Sequence, residues 1–355
     1  MAMHDLGYRH WDEDAPFRKF SWLSISRYGV RLAWKSQWLK RIVIFAFMPF
    51  FGLLVAVFFY EQASNWPLLY ETDDDDGSSS RLVAGVEFLE SSLDAREAPT
   101  GKVIFTAPGE IPPEQPAASF GNPEEVVLQR YIDDHRSVVW RTGFYYFFHF
   151  AQGPLMIVLV GMIAPGLISR DNQSRAFLLY FSRPISAFQY LLGKAATVWA
   201  FQMAVITIPA LTVYLGGILF SPGPGVILNT WDIPLRILFA SAVLVIPTTA
   251  FVLCLSSLVE ESRYAGFAWY ATWIVGFLTW FILTTNDAVA VEGLSGWTSS
   301  WEFLSFYHVL GNVEQWVFGL MNQPADVIPY VVILSTLTLV CFLITMRRIT
   351  APIRI

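Results

Sequence analysis

Between Ser169 and Lys194 the chain places arginines and aromatics at spacings that suit docking rather than bond-making. Arg170, Asp171, Arg175 and Arg183 supply charge; Phe177, Leu178 and Tyr180 supply an apolar knob; Pro184 follows Arg183 as a bend. A short helix across 171–184, lying on a membrane surface, would offer that knob and its charged rim to a soluble partner. The alternative is that the arginines fix topology and the aromatics sit among lipid headgroups. Glu260 and Glu261, beside Arg263, form a second polar turn and a second candidate contact. Bond-making chemistry lacks its usual residue sets. Gly193-Lys194 has Phe188 where a phosphate-binding loop needs its first glycine and Ala195 where it needs a hydroxyl, so ATP hydrolysis by this chain is not expected. No metalloprotease or serine-elbow motif occurs. His149 reads either as functional or as a hydrogen-bonded core histidine. The run Asp73 to Asp76 lacks the distal glutamate of a calcium loop and reads as a solvated acidic turn. Cys254 and Cys341 read as packing residues.

The elements that hold these residues are dictated by hydropathy. Hydrophobic residues make up 54% of the 355 and charged residues only 15%, a balance that places the chain among polytopic membrane proteins. A bilayer core of roughly 30 Å needs about 20 apolar residues per helix. Six stretches qualify: 42–60, 144–168, 195–220, 237–259, 264–284 and 327–346. Lipid offers no partner to an open backbone, so each is expected as a helix and the fold as all-α. The fourth and fifth must meet in a tight hairpin at 260–263.

Lysine and arginine set the orientation. They crowd residues 9–41, recur at Arg170, Arg175, Arg183 and Lys194, and close the last span at Arg347, Arg348 and Arg354, whereas 286–326 has none. Both termini are therefore expected in the cytoplasm, with 61–141 and 285–326 outside and the chain in the cytoplasmic (inner) membrane. The acidic residues concentrate in 61–134, which argues against nucleic-acid binding.

Residues 18–41 have two readings: an amphipathic helix in the interface, with Trp22, Trp34 and Trp38 at headgroup depth, or a basic flank that only fixes topology. The external segment is expected to form a small cap. Short elements are expected over 82–93 and 102–106, with a helix started by Asn122-Pro123-Glu124-Glu125 that runs into the second span. In the fifth span Trp269, Tyr270, Trp273 and Trp280 form an aromatic group, the three tryptophans at helical spacing, which reads either as packing or lipid contact or as a contact for a lipid-like or peptide ligand.

The insert and its borders, Ile168-Ser169-Arg170-Asp171, Phe177-Leu178-Leu179-Tyr180, Ser182-Arg183-Pro184-Ile185-Ser186 and Tyr190-Leu191-Leu192-Gly193-Lys194, resemble the cytoplasmic loop of permeases in the ABC-2 type of ATP-binding-cassette transporters. Phe303-Leu304-Ser305-Phe306-Tyr307-His308, then Gly319, Asp326 and Tyr330, is similar to the external re-entrant region of the same permeases. Where many relatives carry Glu-Arg or Glu-Lys and then Gly-Thr, this chain reads Arg170-Asp171-Asn172-Gln173-Ser174-Arg175. The resemblance implies a non-catalytic, membrane-spanning exporter subunit. It implies a cytoplasmic ABC ATPase partner that binds the ATP and Mg, a second permease copy or a related permease, and surrounding membrane lipid. It also implies that 169–194 transmits the partner's motion and that the second and fifth spans meet a second copy, which would put Trp269, Tyr270, Trp273 and Trp280 at a translocation pathway or dimer interface. The competing reading is a membrane scaffold of a surface or motility machine without transport of its own.

Overall fold

The computed structural model describes residues 21–62, 70–72, 80–82, 123–174, 185–221, 223, 225–287, 298–321 and 323–350. Six helical segments are long and apolar enough to cross a membrane: Gln37–Gln62, His135–Gln173, Ala187–Phe220, Gly225–Leu258, Ser262–Thr284 and Pro324–Thr350. They correspond one for one to the six expected stretches. The described residues are otherwise a helix α1 (Ser21–Ala33), a short helix Phe306–Val317 flanked by 3-10 turns, and one antiparallel pair, β1 (Tyr70–Thr72) with β2 (Ser80–Leu82), in register Tyr70↔Leu82. Residues 83–93 and 102–106, where small external elements were expected, lie outside the described residues; the helix expected at Pro123 runs from there to Tyr146 and on into the second span.

Four spans depart from a simple rod, each with an identifiable cause. The first breaks at Ala46–Phe47, and the Gln152 side chain of the second span donates to the Ala46 carbonyl at 2.9 Å, which keeps a polar backbone group from being stranded. The second and third each contain a π-helical stretch, Phe147–Gln152 and Met203–Thr207, followed within two residues by Pro154 and Pro209. Proline cannot donate to the carbonyl four residues back and clashes with it, and a wider turn relieves that clash. The two π stretches touch. The second span bends again at Pro165, whose carbonyl accepts from Ser169 Oγ and Ser256 Oγ, both at 2.7 Å. The fourth span carries Pro247 inside its helix.

The third span starts eight residues before its expected boundary because Ser186 and Gln189 form a capping box. The segment Tyr190-Leu191-Leu192-Gly193-Lys194 is therefore already helical. Helix α1 packs along this early turn, and glycine is what permits it: a Cβ on Gly193 would lie 2.8 Å from Ile25 Cβ and 2.9 Å from the Trp22 carbonyl. Gly193→Leu is expected to push α1 off the third span at a cost of about 1–3 kcal/mol. Limited trypsin digestion checks it: cleavage at Arg27 and Arg31 should speed up several-fold while the span core stays intact, and an unchanged digestion rate would mean that the contact does not hold α1.

The core is continuous. Leu39, Trp140, Phe144, Phe148, Met156, Leu159, Trp269 and Phe318 are all buried in one cluster that joins the first, second and fifth spans to the short helix. Cys254 and Cys341 are buried free thiols that hydrogen-bond to each other.

Candidate coupling end and buried polar clusters

The described borders of the 169–194 segment are tied together. Asp171 Oδ2 accepts from Tyr190 Oη at 2.6 Å and faces Lys194 Nζ at 2.7 Å, while the Lys194 ammonium lies over the Tyr190 ring at 5.3 Å. Asp171 is thus spent on the third span rather than on the surface. The fourth span joins them: Ser256 Oγ accepts from the Ile168 and Ser169 amides at 3.1 and 3.0 Å, and Asn172 Nδ2 donates to the Ser257 carbonyl at 3.3 Å. Ile168, Tyr190, Leu253 and Ile349 form a second buried cluster beneath. Three spans and the end of the sixth therefore make one unit at this end of the bundle.

Arg170 is exposed at the rim of this unit. Arg175, Phe177, Leu178, Tyr180, Arg183 and Pro184 lie outside the described residues. Glu260 is exposed in the three-residue turn between the fourth and fifth spans, and Glu261 faces Arg263 at 2.5 Å.

The aromatic stripe of the fifth span faces its own chain. Trp269 is fully buried and donates to the Ile157 carbonyl at 2.8 Å, and Tyr270 Oη donates to the Val158 carbonyl at 3.3 Å. Trp273 packs against Trp269 and Phe306 with ring centroids 5.3 and 4.8 Å away, and Trp280 covers His308 at 3.8 Å. Side chains exposed on the same span include Phe267, Ile274, Leu278 and Phe281.

Sequence reasoning missed the buried charges, most of which sit in the segments between the expected spans. Glu61 Oε1, closing the first span, accepts from Arg136 Nε and Trp140 Nε1, both at 3.0 Å, with Glu61 fully buried and Arg136 2% exposed. Asp232 Oδ2 receives Arg141 at 2.7 Å and Arg236 at 2.6 Å, and Arg236 Nη1 continues to the Val317 carbonyl at the end of the short helix. Glu302 Oε2 accepts from Asn312 at 2.8 Å and from Tyr330 Oη at 2.8 Å. In the π stretch of the second span, His149 Nδ1 lies 3.4 Å from Glu314 Oε2, and its ring stacks with Tyr145 and abuts Tyr307. Gly311 admits the imidazole, since a Cβ there would lie 2.2 Å from His149 Cε1. Burial pushes the fully enclosed Glu314 carboxyl above the ordinary carboxylate range, with His149 opposing that shift. Burial likewise pulls the His308 imidazole down to about 4, so it sits neutral between Trp280 and Phe277 near pH 7. The only advance signal was His149, an isolated imidazole inside an apolar stretch.

A family model described as ABC-2 family transporter protein matches residues 35–350, from the approach to the first span to the end of the sixth. This chain belongs to the ABC-2 transporter family. As an ABC-2 permease it is a membrane transport component, and its membership implies a partner ABC ATPase. Comparison with curated proteins and with solved structures gave no match. In this ABC-2 permease the bracketed segment therefore begins and ends on spans that the structure has already joined.

Proposed function

We propose that the chain is the membrane-spanning subunit of an ATP-driven exporter in the cytoplasmic membrane. It pairs with a second copy or a related permease, and its 169–194 segment receives the stroke of a separate cytoplasmic ATPase that binds the ATP and Mg. The observation that carries this reading is the Asp171–Lys194–Tyr190 tie. A flexible loop would absorb a push from outside, whereas a segment whose two borders are ion-paired to each other and bonded to the fourth span passes displacement to three spans at once. In this reading Arg170, Arg175 and Arg183 form the charged rim, Phe177, Leu178 and Tyr180 the docking knob, Pro184 the bend that returns the chain to the membrane, and Glu260 and Glu261 a second contact. The basic end of the bundle faces the cytoplasm. Trp269 and Tyr270 brace the second and fifth spans and Trp273 and Trp280 seat the short helix, while the outer faces of the two spans meet the second copy.

Purification of the tagged chain from its native membrane in mild detergent, with mass spectrometry and an ATPase assay, tests the class: a stoichiometric ABC ATPase is expected. Phe177→Ala combined with Leu178→Ala should weaken that association about 30-fold, equivalent to about 2 kcal/mol for the loss of an interface anchor, while leaving insertion and yield unchanged. Unaltered ATPase recovery and activity in the double variant would remove this segment from the coupling role.

A further inference from the structure

At the basic end a cavity of about 640 Å³ opens between α1, the second span and the start of the fifth. Its volume falls within the range of ligand sites, about 300–1,000 Å³. Leu32, Leu39, Met162 and Leu167 make an apolar wall. The charged lining residues are Arg170, Arg263, Lys194 and Asp171, at the ends of the spans, and Tyr28, Ser36 and Ser262 add neutral polar groups. The charges there do not cancel. Asp171 is already matched by Lys194 at 2.7 Å. Among the described residues the one carboxylate paired with Arg263 is Glu261, in a pair whose side chains are 72% and 42% exposed and which water and salt screen heavily, and the guanidinium also lies over the Tyr264 ring at 5.1 Å. Among the described residues no carboxylate pairs with Arg170, whose guanidinium instead lies along Gly166. The cavity thus combines a hydrocarbon-compatible wall with two arginines at one end, and it borders a helical bundle of membrane-spanning length.

We infer that this cavity holds an anionic phospholipid from the adjoining leaflet, its phosphate between Arg170 and Arg263 and its upper acyl chain along Leu32, Leu39 and Met162. Guanidinium is the side chain best matched to phosphate, offering parallel donors in a fixed fork. Basic pockets between spans are suited to anionic headgroups, whose attraction adds to apolar burial. A soluble anion would use only the arginines and would leave the apolar wall uncovered; a neutral lipid would use only the wall. Occupancy joins α1 to the second and fifth spans, which already pack on each other through Trp269 and Tyr270, so the lipid stabilises the seating of α1 against that pair.

The test uses the full chain, purified in an uncharged maltoside detergent without any ATPase, so its outcome is independent of the coupling role proposed above. Native mass spectrometry and thermal unfolding are followed as phosphatidylglycerol, phosphatidylcholine or inorganic phosphate is added. Phosphatidylglycerol is expected to give one retained lipid per chain and to raise the unfolding temperature by several degrees, with phosphatidylcholine at least tenfold weaker and inorganic phosphate inert at millimolar concentration. Arg170→Gln with Arg263→Gln should weaken phosphatidylglycerol binding at least tenfold. Arg170→Lys with Arg263→Lys, which keeps the charge and checks folding, should retain most of it, and Arg347→Gln with Arg348→Gln should bind as the parent does. Equal binding of phosphatidylcholine, displacement of the lipid by phosphate alone, undiminished binding by the glutamine variant, or a dimer of the chain that excludes lipid from the cavity would each overturn the assignment.

Discussion

Replacing Arg136 with methionine should cost about 3–5 kcal/mol of stability and lower the apparent unfolding temperature in detergent by on the order of 10 °C. The reason lies in what remains. Glu61 is fully buried, and without Arg136 the one side chain that still donates to its carboxylate among the described residues is the Trp140 indole. A buried charge with its counter-ion removed carries most of its desolvation cost uncompensated, which is why deleting one partner hurts more than deleting both. Glu61→Gln combined with Arg136→Met should therefore recover more than half of the loss, because the amide oxygen still accepts from Trp140 and the Glu61 charge is gone. A single-variant shift below about 2 °C, or a double variant worse than the single, would show that the pair does not hold the first and second spans together.

The second large effect is expected at His149 and depends on pH. His149→Leu fits an apolar surround but leaves Glu314 enclosed with no basic partner among the described residues. Its carboxyl, already pushed up by burial, then loses the one influence that opposed the shift. A carboxyl whose folded pKa exceeds its unfolded value binds protons more tightly when folded. Its favourable contribution is present at low pH and is lost as pH rises from the unfolded value of about 4.5 through the folded one. The variant should accordingly unfold several degrees below the parent at pH 8 and close to it at pH 5.5. Adding Glu314→Gln should flatten that dependence. An equal deficit at both values would assign the loss to packing around Tyr145 and Tyr307 instead.

These two sites also mark where sequence reading stopped. The spans were legible because hydrocarbon thickness imposes a length and a composition that each stretch displays on its own. The capping box was legible in principle, since Ser186 and Gln189 stand three residues apart, yet apolar content alone set the expected start of the third span at residue 195. Arg136 and Arg141 fall within the external segment 61–141 and Glu61 opens it, so nothing in their local sequence singled them out. Their roles emerge only when Glu61 meets Arg136 across 75 residues and Arg141 meets Asp232 across 91. Asp171 shows the opposite failure: its place in a polar insert suggested a surface contact, but Lys194 and Tyr190, one helical turn apart on the next span, claim it. Trp269 was legible as part of a helical stripe, but periodicity cannot say whether a stripe faces lipid, a neighbour chain or the chain's own interior.

The paired π stretches at Phe147–Gln152 and Met203–Thr207 give the second and third spans a property that ordinary helices lack. Each wide turn stores one residue beyond the regular winding, equivalent to about 100° of rotation and about 1.5 Å of length. Such an excess behaves like a pinned dislocation in a crystal: Pro154 and Pro209, two residues further on, fix where it sits, so each span carries its offset side-chain register at one set depth in the bundle.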